Sequence, residues 1–423
     1  MAEFLLELRS EEIPARMQGK AAADLKRLAT EKLKAAKLDF TDARSYVTPR
    51  RLTLVVDGLP EKQPDTTEET RGPKVGAPEK AVQGFLRGNG LASVDEAEIR
   101  ETAKGQFYFA VKHIEGRATT TVLSDIIAEL AHELHWPKSM RWAENSFRYV
   151  RPLHNVLALF DGAIVPGHLD LGGATLTFSN ITRGHPFLAP DPVEVRDFAD
   201  YRAKLESRYV LLDAEDRKHR IREQANAKAV AEGLRLKDDP GLLDEVAGLV
   251  EWPVVLIGTI EDRFMALPPE VLTVSMRTHQ KYFAAEQPDG SLANRFITVA
   301  NIETADDGAA IVAGNERVLR ARLADAEFFW DTDRQTPLAD RVSALDGMVF
   351  HAKLGSVRDK VERIEALAVS LSDRIAGADR DKARSAATLA KADLTTGMVD
   401  EFPELQGVMG WYYARHDGEA PDV

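Results

Sequence analysis

Residues Phe4 to Arg9 form a short, mostly apolar run that reads as a strand. Beyond Pro14, the apolar positions Met17, Ala21, Leu25, Leu28, Ala29 and Leu33 recur at helical spacing. Leu52 to Asp57 reads as a second strand, and residues 59–79, rich in Pro, Gly and charge, read as a long surface loop. Gln106 to Ile114 is β-rich. A helix follows with Val122, Ile126, Leu130 and Leu134 on one face, stopped at Trp136-Pro137. Val156 to Phe160 is a further strand, and the dense Gly, Thr and Pro content of residues 165–192 predicts turns and a small β module.

From Asp213 to Glu232 the pattern becomes a highly charged helix, with Asp213 as N-cap, Asp216 in the first turn and most of its surface expected in solvent. Leu242 to Val250, a break at Trp252-Pro253 and a strand from Val254 to Ile260 rebuild an α+β unit. Asp289-Gly290 predicts a hairpin turn between Lys281-Tyr282-Phe283 and the run Phe296 to Asn301. After about Asp306 strand signals vanish, and helices are expected at 308–330, 337–350, 355–375, 381–399 and 403–416. The expected fold class is multidomain α+β followed by an all-α helical domain that is incomplete at its C-terminal end. The expected divisions are an α+β body over 1–150, β-rich and α+β modules over 151–305, and helices over 306–423.

The 423 residues suffice for two to four domains, and 44% hydrophobic content can fill their cores. No apolar run approaches the roughly 20 residues of a membrane span, and the N-terminus lacks a secretory pattern, so the expected location is the cytoplasm, with no membrane partner. The absence of cysteine excludes disulfides, thiolate metal sites and thiol nucleophiles. A formal net charge of −13 argues against indiscriminate attraction to nucleic acid, so any such contact must use local basic patches.

Phosphate loops, nucleophile elbows and His-Glu-x-x-His helices are missing from the sequence. Gly88-Asn89-Gly90 follows a helical stretch and reads as a helix-terminating turn, not a dinucleotide fingerprint. Glu129, His132 and His135 share a predicted helix at i, i+3 spacing, but without a second cluster they read as surface groups and no metal is assigned to them. Basic residues next to glycine, proline or aromatics carry more weight, because that combination pairs phosphates and stacks bases. On this ground Arg50, Arg51, Arg71, Lys138, Arg141, Arg151, Arg183, Arg277, Lys281 and Arg317 are candidate RNA-contacting residues, or residues that hold RNA-facing loops. Arg317, Arg320 and Arg322 have Asp325 and Glu327 nearby as competing partners.

His416-Asp417 invites comparison with HD-type metal-dependent phosphohydrolases, which need a further His and Asp on neighbouring helices. His351 is a candidate first ligand, but Lys391-Ala392-Asp393 stands where an internal His-Asp is expected, so a structural role is the preferred reading.

An ordered series of strings resembles the beta subunit of bacterial heterotetrameric glycyl-tRNA synthetase. The opening Leu5-Leu6-Glu7-Leu8-Arg9-Ser10-Glu11-Glu12-Ile13-Pro14 is followed by Pro49-Arg50-Arg51-Leu52, Arg71-Gly72-Pro73, Met140-Arg141-Trp142 and Arg151-Pro152-Leu153-His154. Arg183-Gly184-His185, Glu251-Trp252-Pro253, His279-Gln280-Lys281-Tyr282-Phe283, Gly314-Asn315-Glu316-Arg317-Val318 and Tyr413-Ala414-Arg415-His416-Asp417 continue the series. The resemblance implies a non-catalytic, tRNA-binding subunit that works with a class II alpha subunit in an alpha2beta2 assembly to charge tRNA(Gly). ATP and Mg are then used by the complex, and no cofactor is bound by this chain. It further implies that residues 306–423 begin an HD-like domain and that a C-terminal anticodon-binding domain is absent. A phosphohydrolase and an assembly scaffold are the alternatives.

Overall fold

The computed structural model describes residues 2–423, and its first strand lies in the middle of a sheet, not at its edge. The chain divides into two compact units, one ending at Ala214 and one running Glu215–Val423. In the first, β1 (Ala2–Ser10), α1 (Ala15–Ala35), β2 (Asp42–Thr48) and β3 (Arg51–Leu59) are followed by β4 (Thr66–Lys74), α2 (Glu79–Asn89), β5 (Glu98–Thr102) and β6 (Gly105–Ile114). Then come α3 (Thr119–Glu133), β7 (Leu153–Phe160), β8 (Ala163–Ile164) and four three-residue strands, β9 (His168–Asp170), β10 (Thr175–Thr177), β11 (Ile181–Arg183) and β12 (Pro192–Glu194), before α4 (Phe198–Glu206). The main sheet has the order β2-β3-β1-β7-β8.

Both faces of that sheet are covered. Phe4, Leu6 and Leu8 pack with Met17, Leu25 and Leu33 of α1 and Val122, Ile126 and Leu130 of α3. Leu5, on the opposite face by the two-residue period of a strand, packs with Val55, Leu157, Phe198, Tyr201 and Leu205. Each such side chain, fully buried, is worth about 2 kcal/mol, which fixes the register of β1 against a one-residue slip. Glu7 and Arg9 therefore share the Leu5 face, underneath the β11 to α4 segment.

The stretch expected as loop over 59–79 contains β4, which pairs with β6 in a separate three-stranded sheet of order β4-β6-β5. Its Thr-rich start suits a strand, and its charge misled because most of this small sheet is exposed. Gly90 terminates α2 in the left-handed conformation (φ 66°), as expected for that turn.

The second unit opens with α5 (Ala214–Ala231), β13 (Arg235–Leu236), α6 (Pro240–Ala247), β14 (Val254–Thr259), α7 (Pro269–Val274), β15 (Phe283–Glu286) and β16 (Leu292–Ala300). Its sheet has the order β13-β15-β16-β14. The hairpin at Asp289-Gly290 is present, but its first strand starts at Phe283, with Lys281 and Tyr282 outside it, and both strands reach closer to the turn than expected. As expected, most of α5 faces solvent, but it also buries one narrow seam, Arg217, Ile221, Ala225 and Ala229 at four-residue spacing, which the apolar pattern did not show.

Helices dominate from there: α8 (Ala309–Asp333), α9 (Leu338–Arg341), α10 (Val357–Ser372), α11 (Arg380–Leu389), α12 (Gly397–Glu401) and α13 (Val408–His416). Two corrections apply. Strands do not vanish, since β17 (Val349–His351) and β18 (Gly355–Ser356) form a short hairpin. The helix expected over 381–399 is broken after Leu389 by a 3₁₀ turn at Ala392–Thr395, which draws Asp393 into the core. Among the described residues no helix is long and apolar enough to cross a membrane.

Candidate nucleic-acid interface

Glu7 is completely buried, and Arg51 is only 1% exposed. The Arg51 Nε donates to Glu7 Oε2 at 3.1 Å. The same carboxylate accepts from the Thr182 hydroxyl at 2.7 Å and from the Tyr201 hydroxyl at 2.6 Å, and Thr53 Oγ1 lies 3.0 Å from that hydroxyl. Burial first, and then the charge of Glu7, push the Tyr201 pKa well up, so the phenol stays a donor. A carboxylate with this many donors satisfies the requirement that a buried charge be paired and hydrogen-bonded.

Arg51 also reaches outward: its Nη2 donates to the Arg183 carbonyl oxygen at 2.6 Å. The Arg183 side chain is exposed, with Nη1 donating to the Pro190 carbonyl at 2.7 Å. Gly184 lets the chain pass close to its neighbour, because a Cβ there would come within 2.5 Å of Arg208 Cβ and 2.7 Å of the Arg208 carbonyl oxygen. His185 is buried, and its Nδ1 accepts from the backbone N–H groups of Phe187 at 3.3 Å and Leu188 at 3.2 Å. That turn leaves Phe187 79% exposed.

Around this core lie more cations. Arg50 Nη2 donates to Glu11 at 3.2 Å, and His154 Nε2 lies 2.5 Å from the same carboxylate. Burial acts to raise the Glu11 pKa, but the His154 hydrogen bond and the Arg50 charge outweigh it and the net shift is downward. Arg9 stands directly across from Arg51 on one side and Asn155 on the other.

Of the candidates from the sequence, the fold thus brings Arg50, Arg51 and Arg183 together. Of the two roles expected for Arg51, contact or support of a loop, its burial fits support, because its guanidinium is spent on Glu7 and the Arg183 carbonyl. Arg151 is half-buried, with Nη1 on the Val150 carbonyl at 2.8 Å. Lys138 and Arg141 are exposed between α3 and β7, and Arg71 lies on the separate three-stranded sheet, 3.7 Å above the Phe107 ring. In the second unit Arg277 pairs with Asp239 at 2.5 Å and Lys281 with Glu245 at 3.0 Å, while Arg317 is exposed on α8. Arg320 pairs with Glu261, and Arg322 pairs with Glu401 at 2.8 Å, so their partners come mainly from other elements.

The carboxylates for which metal binding was weighed are engaged otherwise, as is Asp333 of α8, which packs in the same helical region. Asp333 accepts from the backbone N–H groups of Gly397 and Met398, each at 2.9 Å, and from the Tyr413 hydroxyl at 3.0 Å. Asp393 Oδ2 accepts from the N–H groups of Gly407 at 2.5 Å and Gly410 at 3.1 Å. Asp417 accepts from Leu338 N–H at 2.6 Å, and His351 is exposed on the β17 strand. Glu129 pairs with Lys32 at 2.6 Å, and α3 ends at Glu133, so His135 is not on that helix as expected. No group of three His, Asp or Glu with metal-binding geometry occurs among the described residues.

The profile of the family described as glycyl-tRNA synthetase beta subunit matches residues 4–423. The chain belongs to that family. It is similar to glycine-tRNA ligase beta subunits of Rhodospirillum centenum (54% identical over all of this chain and 62% of the relative), Phenylobacterium zucineum (49%, 100% and 62%) and Paracoccus denitrificans (48%, 99% and 61%). The chain therefore spans about three fifths of the length of these curated relatives, matching their N-terminal part. Within this beta-subunit chain, the cation beside Arg51 that was not among the candidates from the sequence is Arg9. The signal was present in Leu5-Glu7-Arg9, since charges at alternate positions of an otherwise apolar strand must share a face.

Proposed function

We propose that this chain is the N-terminal and central part of a non-catalytic, tRNA-binding beta subunit, which supports ATP-dependent attachment of glycine to tRNA(Gly) by a separate class II alpha subunit. The family match over residues 4–423 carries the reading. The arginine assembly around Arg51 and Arg183 supports it, because arginines on a loop braced from beneath pair phosphates without a large ordering cost. Arg50 and Arg183 are the foremost contacts, with Arg71, Lys138, Arg141, Arg151 and Arg317 as further phosphate-facing cations. Arg277 and Lys281 join them only by exchanging Asp239 and Glu245 for RNA. The assembly is alpha2beta2, it operates in the cytoplasm, and ATP and Mg act on the alpha subunit. Residues 306–423 form the start of an HD-like domain in which Asp333 and Asp393 brace the backbone.

The experiment is glycylation of tRNA(Gly) with this chain alone, the alpha subunit alone, the two mixed, and alpha with a full-length beta subunit. Activity in a mixture and none from this chain alone is expected. Charging by this chain alone overturns the non-catalytic role, and failure of alpha with full-length beta overturns the assignment of partners.

A further inference from the structure

We propose that Arg9, flanked by Arg50 and Arg183, is a seat for a phosphate oxyanion, and that the phosphate it takes belongs to an unpaired RNA strand with a base stacked on Phe187. The inference rests on the RNA-binding reading above and deepens it.

The first argument is placement. Arg9 and Arg51 are direct partners across β1 and β3, and like charges directly opposite on a sheet repel. Arg51 is compensated by Glu7, but Glu7 already accepts from Arg51, Thr182 and Tyr201, and Glu11 already accepts from Arg50 and His154. Arg9 Nε is buried and has no hydrogen-bond partner. Burial first of all, with repulsion from Arg51, Arg50 and Arg183 and against the attraction of Glu7, holds the Arg9 pKa below its ordinary value. Two carboxylates thus serve four guanidinium groups, Glu7 pairing with Arg51 and Glu11 with Arg50, which leaves Arg9 and Arg183 without a carboxylate hydrogen-bonded to them. A protein interior does not hold such an excess for stability, since an unpaired buried donor costs about 1–3 kcal/mol.

The second argument decides the kind of anion. A guanidinium fork matches the tetrahedral oxygens of a phosphate in a bidentate fashion. Arg183 presents an exposed cation close enough to act on Arg9, held in place by the Pro190 carbonyl, and four residues further along the chain Phe187 is 79% exposed. An exposed aromatic ring four residues from an arginine of the seat fits a nucleotide unit whose base is unstacked from its neighbours, as in a single strand.

The test is fluorescence anisotropy of a labelled single-stranded RNA and of tRNA(Gly), titrated at several salt concentrations with the 423-residue chain, its Arg9→Gln, Arg9→Lys and Phe187→Ala variants. Thermal melting with and without inorganic phosphate runs alongside. Arg9→Gln is expected to weaken RNA binding about tenfold and to reduce the salt slope by about 0.7, without lowering the melting temperature. Arg9→Lys is expected to keep the slope while losing part of the affinity, and Phe187→Ala to lose about tenfold in affinity with the slope unchanged. Unchanged affinity and slope in Arg9→Gln overturn the seat while leaving RNA binding intact, and a melting temperature several degrees lower in both Arg9 variants assigns Arg9 to structure and overturns it as well. If the wild-type chain binds neither RNA, the RNA-binding reading fails and the RNA source of the phosphate with it. The oxyanion seat then stands if phosphate raises the melting temperature of the wild type and not of Arg9→Gln, and falls if it raises neither.

Discussion

Arg51 holds Arg183 by its main chain: the buried guanidinium donates to the Arg183 carbonyl at 2.6 Å while its Nε remains on Glu7. One side chain thus ties the interior of the first unit to a loop at its surface. Replacing Arg51 with Met leaves the buried Glu7 carboxylate with hydroxyl donors but without the Arg51 cation, a change expected to cost about 3–5 kcal/mol, and Arg51→Lys should recover only part of it because an ammonium cannot span both acceptors. Urea denaturation measures the loss, and a cost below about 1 kcal/mol for Met would contradict the role given to this pair.

Gly184 provides a way to disturb the Arg183 loop without removing a charge. Gly184→Ala drives a methyl group into Arg208, so the loop must shift, with an expected cost of about 1–3 kcal/mol. RNA affinity should fall while the salt dependence of what remains is preserved, since every cation is still present. Wild-type affinity in a folded Gly184→Ala protein would show that the position of Arg183 is irrelevant.

Asp239 links helix capping to pH in the second unit. It accepts from the Leu242 N–H at 2.9 Å and pairs with Arg277, and this hydrogen bond from Arg277 first of all holds its carboxyl below the ordinary 3.8. The folded state therefore favours the ionised form: the stabilisation is complete above about pH 4 and is lost as the pH falls through the depressed folded value. Asp239→Asn should show a shallower loss of stability on acidification below about pH 4, whereas Asp239→Ala should also lose about 1 kcal/mol at neutral pH through the missing cap. Identical acid limbs for wild type and Asp239→Asn would refute the linkage.

Asp333 and Asp393 are expected to behave as braces. Asp333→Ala orphans two backbone donors and the Tyr413 hydroxyl, with an expected cost of about 3 kcal/mol or more, and Asp393→Ala should loosen the start of α13. Chelator and added Mn²⁺ should leave the melting temperature unchanged. A metal-dependent rise abolished by Asp393→Ala would restore the phosphohydrolase reading.

Much of the first unit could be read from its pattern, because long amphipathic stretches such as α1 and α3 advertise a single buried face. The pattern was mute where both faces are used or neither is. Exposed β4 looked like loop, and the narrow buried seam of α5, with Ala225 and Ala229 in it, went unseen on a helix otherwise turned to solvent. The helix break after Leu389 was invisible because its cause is a distant partner, the backbone of Gly407 and Gly410 that Asp393 caps. The same limit applies to the arginines. Basic residues beside Gly and Pro were visible one string at a time, but that Arg9, Arg50, Arg51 and Arg183 converge depends on register between β1 and β3 and on a chain crossing more than a hundred residues later.

The central position of β1 sets an order of events during synthesis. Its two neighbours end at Leu59 and Phe160, so the strand made first waits with one edge unpaired until the ribosome has released the other flank. Meanwhile the β4-β6-β5 sheet, contiguous in the chain, can close on its own. The growing chain thus carries a strand edge open to hydrogen bonding through a long interval, the condition under which edges of neighbouring nascent chains can pair with one another.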